Sequence, residues 1–145
     1  MTLIADLRVR GVWQPQVDVL FDVRVVDTDA SSYHSHSPQA VLSSAEAKKK
    51  HKYLEACLSR HAGFTPLCFS TDGMLGTEAD FFLRRMADRL SAKWERSYGE
   101  VIGWIQSRLS FAVLRATMLC VWGSRSRWRS LGIVDGASVS EPDIN

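Results

Sequence analysis

Two stretches decide the fold: LIADLRVR at residues 3–10 and DVLFDVRVV at residues 18–26. In the first, Leu3, Ala5, Leu7 and Val9 take one side; Ile4, Asp6, Arg8 and Arg10 take the other. In the second, Val19, Phe21, Val23 and Val25 make an apolar face, opposed by Asp18, Leu20, Asp22 and Arg24. Successive side chains of a strand leave opposite faces, so this alternation predicts two β-strands. Between them GVWQPQV, with Gly11 and Pro15, punctuates a turn and makes the pair an antiparallel hairpin. Centring the turn on Gln14 sets Arg10 against Asp18, Arg8 against Leu20 and Asp6 against Asp22. Two carboxylates directly across a hairpin repel, and a register slipped by two residues keeps both on the same face. A divalent cation would offset that repulsion. Mg²⁺ binds one or two carboxylates and fills its other positions with water or phosphate oxygens. The alternative is a solvated polar face on which Arg8, Arg10 and Arg24 neutralise the acids.

Beyond the hairpin, DTDASSYHSHSPQ reads as a polar loop. Ser37 as cap and Pro38 in the first turn start a helix expected to run to about His61, with Gly63 ending it. FTPLCFS, residues 64–70, reads as a short buried strand, turned out of by Thr71, Asp72 and Gly73. A second helix starts at Thr77, read as its N-cap, with acids in the first turn. Phe81, Phe82, Leu83, Met86, Leu90 and Trp94 supply its apolar face, and Gly99 breaks it. A third helix spans about Glu100 to Trp122, and the Ser-, Arg- and Gly-rich tail from Gly123 is expected to be loose. The predicted class is therefore α/β: a small mixed sheet opened by an antiparallel hairpin, a crossover helix, a further strand, then two C-terminal helices. Three parts follow: an α/β core at 1–76, a helical pair at 77–122 packed on it, and a basic tail at 123–145.

The run Lys48, Lys49, Lys50, His51, Lys52 is usually a solvated face. At 100° per residue, however, Lys49 projects among Leu42, Ala45, Tyr53 and Ala56, and Lys50 near Leu54 and Cys57. One or two ammonium groups should thus emerge from the side facing the sheet, where they could orient or acidify an attacking water. The alternative is that their stems snorkel out to solvent.

The chain has 145 residues and a formal charge of +2, enough for one core and uninformative about partners in total. The charge distribution says more. No Asp or Glu occurs from Val101 to Val134, where Arg108, Arg115, Arg125, Arg127 and Arg129 lie. Such a local positive field suits a polyanion. Trp104 and Trp122 interleave with these arginines, as phosphate contact and base stacking require; Trp in the core and Arg in solvent is the plainer reading. Cys57, Cys68 and Cys120 are odd in number, scattered and set in apolar surroundings, so buried reduced thiols and an intracellular location are expected. His34 and His36 lack a partner pair at zinc spacing. Gln106, Arg108 and Arg115 argue against a membrane span at Val101–Trp122.

Four segments in order, ADLRVRGVW, FDVRV, AEAKKKHKY and FTPLCFSTDGMLG, together resemble the restriction-like endonuclease region of non-LTR retrotransposons, a branch of the PD-(D/E)XK nuclease superfamily. The resemblance runs from about Ile4 to Leu90, and GSRSRWRS resembles the usual end of such reading frames. It implies a Mg²⁺- or Mn²⁺-dependent hydrolysis of DNA phosphodiesters that nicks a target site for reverse transcription. Asp6 would be the first acid and Asp22 the second, both holding metal. Lys49 or Lys50, ahead of Tyr53, would be the lysine that this branch takes from the following helix. Arg24, Arg108, Arg115, Arg125, Arg127 and Arg129 would contact DNA. It further implies a longer parent chain carrying a reverse transcriptase, and a nuclear location. Ala5 stands where the superfamily has proline, and Arg24 where it often has lysine; a guanidinium stays protonated and can bind phosphate but cannot act as base. The other reading kept open is a nucleic-acid-binding fragment that does not cut.

Overall fold

In the computed structural model, residues 5–122 are described. Three strands and three helices follow in the order β1 (Leu7–Arg10), β2 (Asp18–Val26), α1 (Pro38–Leu58), β3 (Gly63–Ser70), α2 (Thr77–Trp94) and α3 (Tyr98–Trp122), with a single 3-10 turn at Ser31–Tyr33. The protein is mixed α/β. Its sheet has the order β1-β2-β3, antiparallel between β1 and β2 and parallel between β2 and β3. The chain forms two compact units whose boundary falls between Arg85 and Met86, inside α2.

The hairpin adopts the register centred on Gln14, with Arg10 opposite Asp18, Arg8 opposite Leu20 and Leu7 opposite Phe21. Arg8 and Arg10 both bind the Asp18 carboxylate, which they hold well below the usual aspartate range, at about 2. The Gln14-centred turn closes with Gly11 N–H donating to the Val17 carbonyl at 2.9 Å, and Gly11 takes φ +77°, a value its missing Cβ permits. The first strand is shorter than the alternation predicts. The ladder starts at Leu7 because Asp6 sends its amide to the Phe21 carbonyl at 3.0 Å and bends away.

Strand β2 is central and has two unlike faces. Register places Leu20, Asp22, Arg24 and Val26 beside Phe64, Pro66, Cys68 and Ser70 of β3. Helix α1 covers this face: Leu42 and Ala45 pack with Val26 and Cys68, and the Tyr53 ring lies 5.5 Å from that of Phe64. On the opposite face Phe21 is fully buried, its ring 4.7 Å from Phe82 of α2, and Trp13 Nε1 donates to Thr65 Oγ1 at 3.0 Å. Val23 and Val25, expected in the apolar face, are 46% and 40% exposed, because the cover on that side ends short of them. Pro66 lacks an amide hydrogen and is tolerated because β3 is an outer strand.

The helix ends carry the local corrections. Ser37 caps α1 as predicted, its Oγ accepting the Ala40 amide at 3.2 Å. The helix then closes at Leu58, ahead of Gly63, which belongs to β3. Thr77 is not the N-cap of α2 but lies inside it. The Glu78 amide is taken from a distance by Glu46 Oε1 on α1, at 3.0 Å. Gly99 is not the break between α2 and α3 either; it is helical, and the chain turns at Glu95–Ser97 with Glu95 at φ 54°. Phe81 is 59% exposed and does not join the buried face of α2. In the second unit Ala87, Trp94 and Val101 form the core, and Trp104 meets Trp94 edge-on at 5.5 Å. Cys57 and Cys68 are buried free thiols as expected, whereas Cys120 is exposed. Among the described residues no helix is long and apolar enough to cross a membrane.

Candidate functional site

Strand β2 delivers Asp22 and Arg24 to the face that α1 covers. Alternation does the placing: both residues share a parity with Val26, whose side chain is in the core beneath Leu42. Lys49 reaches down from α1 because it follows Leu42 and Ala45 on the helix face that packs on the sheet. Its Nζ lies 2.5 Å from Asp22 Oδ2, with the two side chains 25% and 16% exposed. The same oxygen is buried and has no donor aligned on it as a hydrogen bond. The distance governs the electrostatics, so the contact is a close ion pair without directed hydrogen bonding, and Asp22 Oδ2 keeps a lone pair unspent.

Asp6 comes to the same stretch by another route. Its Oδ2 accepts the Val23 amide at 2.7 Å, so its carboxylate is anchored at the peptide unit that follows Asp22. The bend at Asp6 that shortens β1 thus substitutes a side-chain oxygen for the missing ladder partner. Asp6 is exposed and Asp22 partly buried. The donor set is two carboxylates, one of which has a buried and unaligned oxygen, and hard oxygen donors of this kind suit Mg²⁺ or Mn²⁺. Among the described residues no group of three or more His, Cys, Asp and Glu side chains converges.

Lys50 does not join the acids of the hairpin. It pairs with Glu78 at the start of α2. Glu46, which pattern reading passed over, is 7% exposed and caps the Glu78 amide. Burial raises its carboxyl above the ordinary glutamate value, the Glu78 amide opposes that rise, and the nearby Glu78 charge adds to it. Leu42, Glu46, Lys49 and Tyr53 recur at helical spacing on one line of α1, and that line was the available signal. Gly76 leaves the space in which the Glu46 carboxylate sits: a Cβ there would meet Glu46 Oε1 and would stand 3.1 Å from the Cys68 carbonyl oxygen. Cys68, beneath this group of charges, is pushed up to about 11, chiefly by burial and then by the charge of Glu46.

Of the remaining predicted residues, Arg24 is half-buried on β2, and Arg108 and Arg115 are exposed on α3. Arg108 stacks 5.2 Å above the Trp104 ring, while Arg115 lies among Phe111, Leu114, Met118 and Leu119, an exposed apolar stripe. Arg125, Arg127, Arg129 and the basic tail lie outside the described residues. Comparison of the chain with protein families, with curated proteins and with solved structures found no match.

Proposed function

We propose that this chain is a DNA endonuclease domain of the restriction-like, PD-(D/E)XK kind, using Mg²⁺ or Mn²⁺ to hydrolyse a phosphodiester of a target site. The observation that carries this reading is the ion pair between Lys49 of α1 and Asp22 of β2, next to the backbone amide that anchors Asp6. Asp22 lies on the strand, Asp6 is tied to the next amide, and the Lys49 ammonium stands 2.5 Å from Asp22 Oδ2. A bound divalent cation would supply Lewis-acid stabilisation of charge building on the phosphoryl oxygens. Asp6 and Asp22 would hold it. Lys49, which pairs with Asp22, would with the carboxylates on a cation be placed to hold its ammonium toward the attacking oxygen or the phosphate. Lys50, engaged by Glu78, supports the junction of α1 and α2 instead. Arg24, on the same face as Asp22, serves the phosphate backbone. Arg108 and Arg115 supply sequence-independent phosphate contact. DNA as substrate would make the nucleus the place of work.

The test is nicking of supercoiled plasmid by the full chain in Mg²⁺ or Mn²⁺. Nicking that disappears in Asp22→Ala and in Lys49→Met supports the reading; no nicking in either metal overturns it. A second reading rests on Asp6, whose Oδ2 is already engaged by the Val23 amide and so has a purely structural role available. On that reading the chain binds DNA without cutting, and salt-dependent binding persists unchanged in Asp22→Ala.

A further inference from the structure

Arg24 and Lys48 are among the cations of the first unit left over once the ion pairs are assigned. Arg8 and Arg10 share Asp18, Lys49 takes Asp22, and Lys50 takes Glu78. Arg24 on β2 and Lys48 on α1 have no carboxylate or hydrogen-bond partner among the described residues, although Arg24 is half-buried. Both line one cavity, between β2, the 3-10 turn at Ser31–Tyr33 and the first half of α1. Its polar walls are Arg24, Ser32, Tyr33, His36, Ser44 and Lys48; the rest of its lining is small and apolar, and no Asp or Glu takes part. Ala40, Val41, Ser44, Ala45 and Lys48 bring the flank of the 21-residue α1 along it.

A half-buried guanidinium without a counter-charge is costly unless an anion completes it. The cavity measures about 180 Å³. That is below the roughly 300–1,000 Å³ of pockets that enclose whole small molecules, and suits a compact group of a few heavy atoms. Planar forked donors from an arginine, a lysine ammonium and hydroxyls from Ser32, Tyr33 and Ser44 match the several acceptor oxygens of a phosphoryl group. We propose that this cavity binds a phosphoryl oxyanion, with Arg24 and Lys48 as its charged ligands. Neither Asp6 nor Asp22 lines it, and its Arg24 follows Asp22 by two residues on the same face, about 7 Å along the strand. The same chemistry is offered by an internal phosphodiester of a nucleic-acid strand, by a terminal phosphate monoester and by free phosphate. The proposal stands whether or not the acids cut.

The test titrates the full chain, in buffer without divalent metal, with inorganic phosphate and with a short oligothymidylate carrying or lacking a 5′-phosphate. Affinity for at least one probe should fall about tenfold in Arg24→Gln and several-fold in Lys48→Ala, a tenfold loss being 1.4 kcal/mol. Lys52→Ala, on α1 but outside the cavity, should change neither. Equal losses with both oligonucleotides assign an internal phosphodiester; a loss confined to the phosphorylated one assigns a terminal monoester; a loss for inorganic phosphate alone assigns the free ion. Circular dichroism of both variants guards against misfolding. Affinity for all three probes unaltered in folded Arg24→Gln and Lys48→Ala overturns the proposal, as does the absence of binding in the parent. Asp22→Asn separates this site from the nuclease reading: it should abolish nicking and leave phosphate binding in place.

Discussion

Replacing Lys49 by Met keeps the aliphatic stem against the sheet and removes the charge that faces Asp22. Asp22 Oδ2 would then be a buried anion with neither counter-charge nor aligned donor. Exposed ion pairs contribute about 0.2–1 kcal/mol, whereas removing one partner of a fully buried pair costs about 3–5 kcal/mol. Side-chain exposures of 16% for Asp22 and 25% for Lys49 place this pair between those limits. About 2 kcal/mol is the expected loss, or a melting temperature lower by about 4–8 °C for a chain of this size. The double substitution Asp22→Asn with Lys49→Met removes both charges and should recover most of that loss. Mg²⁺ provides a second readout. At ten times its Kd it should add about 1.4 kcal/mol to Lys49→Met, by occupying the carboxylates in place of the ammonium. Thermal unfolding followed by circular dichroism, with and without Mg²⁺, measures all of these. The reasoning fails if Lys49→Met melts within a degree of the parent and the double variant is no more stable than the single.

Three further outcomes follow from the neighbourhood of Glu46. Gly76→Ala places a Cβ against Glu46 Oε1 and 3.0 Å from its Cδ, and should cost about 1–3 kcal/mol by urea unfolding as the carboxylate is pushed off the Glu78 amide; an unchanged midpoint contradicts that packing. Glu46 carries a raised pKa, so the folded state holds its proton more tightly than the unfolded chain does. The stabilisation is complete below the ordinary value of 4.5 and declines as pH rises through the folded value; Glu46→Gln should flatten that part of the stability–pH profile, and an identical slope in the variant refutes the assignment. Iodoacetamide at pH 8 should label Cys120 in the folded chain and spare Cys57 and Cys68, both buried and with raised thiol pKa values; peptide mapping that finds Cys68 labelled first would contradict this.

Pattern reading located the hairpin and its register because charge and hydrophobicity agreed there. Arg10 opposite Asp18 and Phe21 on the buried face leave one pairing that satisfies both, and the structure adopts it. Lys49 was partly legible: its neighbours at helical spacing, Leu42, Ala45 and Tyr53, pointed its stem to the sheet side, against the alternative of snorkelling out, and it meets Asp22. Lys50 shared the projection but not the partner. Its charge is met by Glu78, more than two dozen residues ahead, and a pairing at that separation leaves no mark in local periodicity. Glu46 was missed because an acid beside a lysine run looks solvated; its burial depends on the tertiary placement of α2, whose first turn it caps. Gly99 misled for the opposite reason. Glycine is a common helix stop, yet the turn was made earlier, with Glu95 accepting a left-handed conformation. The shortening of β1 was likewise hidden, since it goes with two hydrogen bonds of Asp6, its amide to the Phe21 carbonyl and the Val23 amide to its carboxylate.

The mixed sheet also sets an order of assembly. Its antiparallel pair brings together residues as close as Arg10 and Asp18, eight apart, whereas every partner across the parallel pair, from Val19 and Gly63 to Val26 and Ser70, is 44 apart. Closing the longer loop costs about 1.5 kcal/mol more in chain entropy, from the logarithm of that ratio. Local hairpins form within microseconds, so the β1–β2 pairing is the quicker to close, and α1 shortens the path that the β2–β3 pairing must span. The strand that carries Asp22 thus gains β1 as a neighbour through the local pairing, whereas the lysine that pairs with Asp22 comes from the helix that completes the crossover.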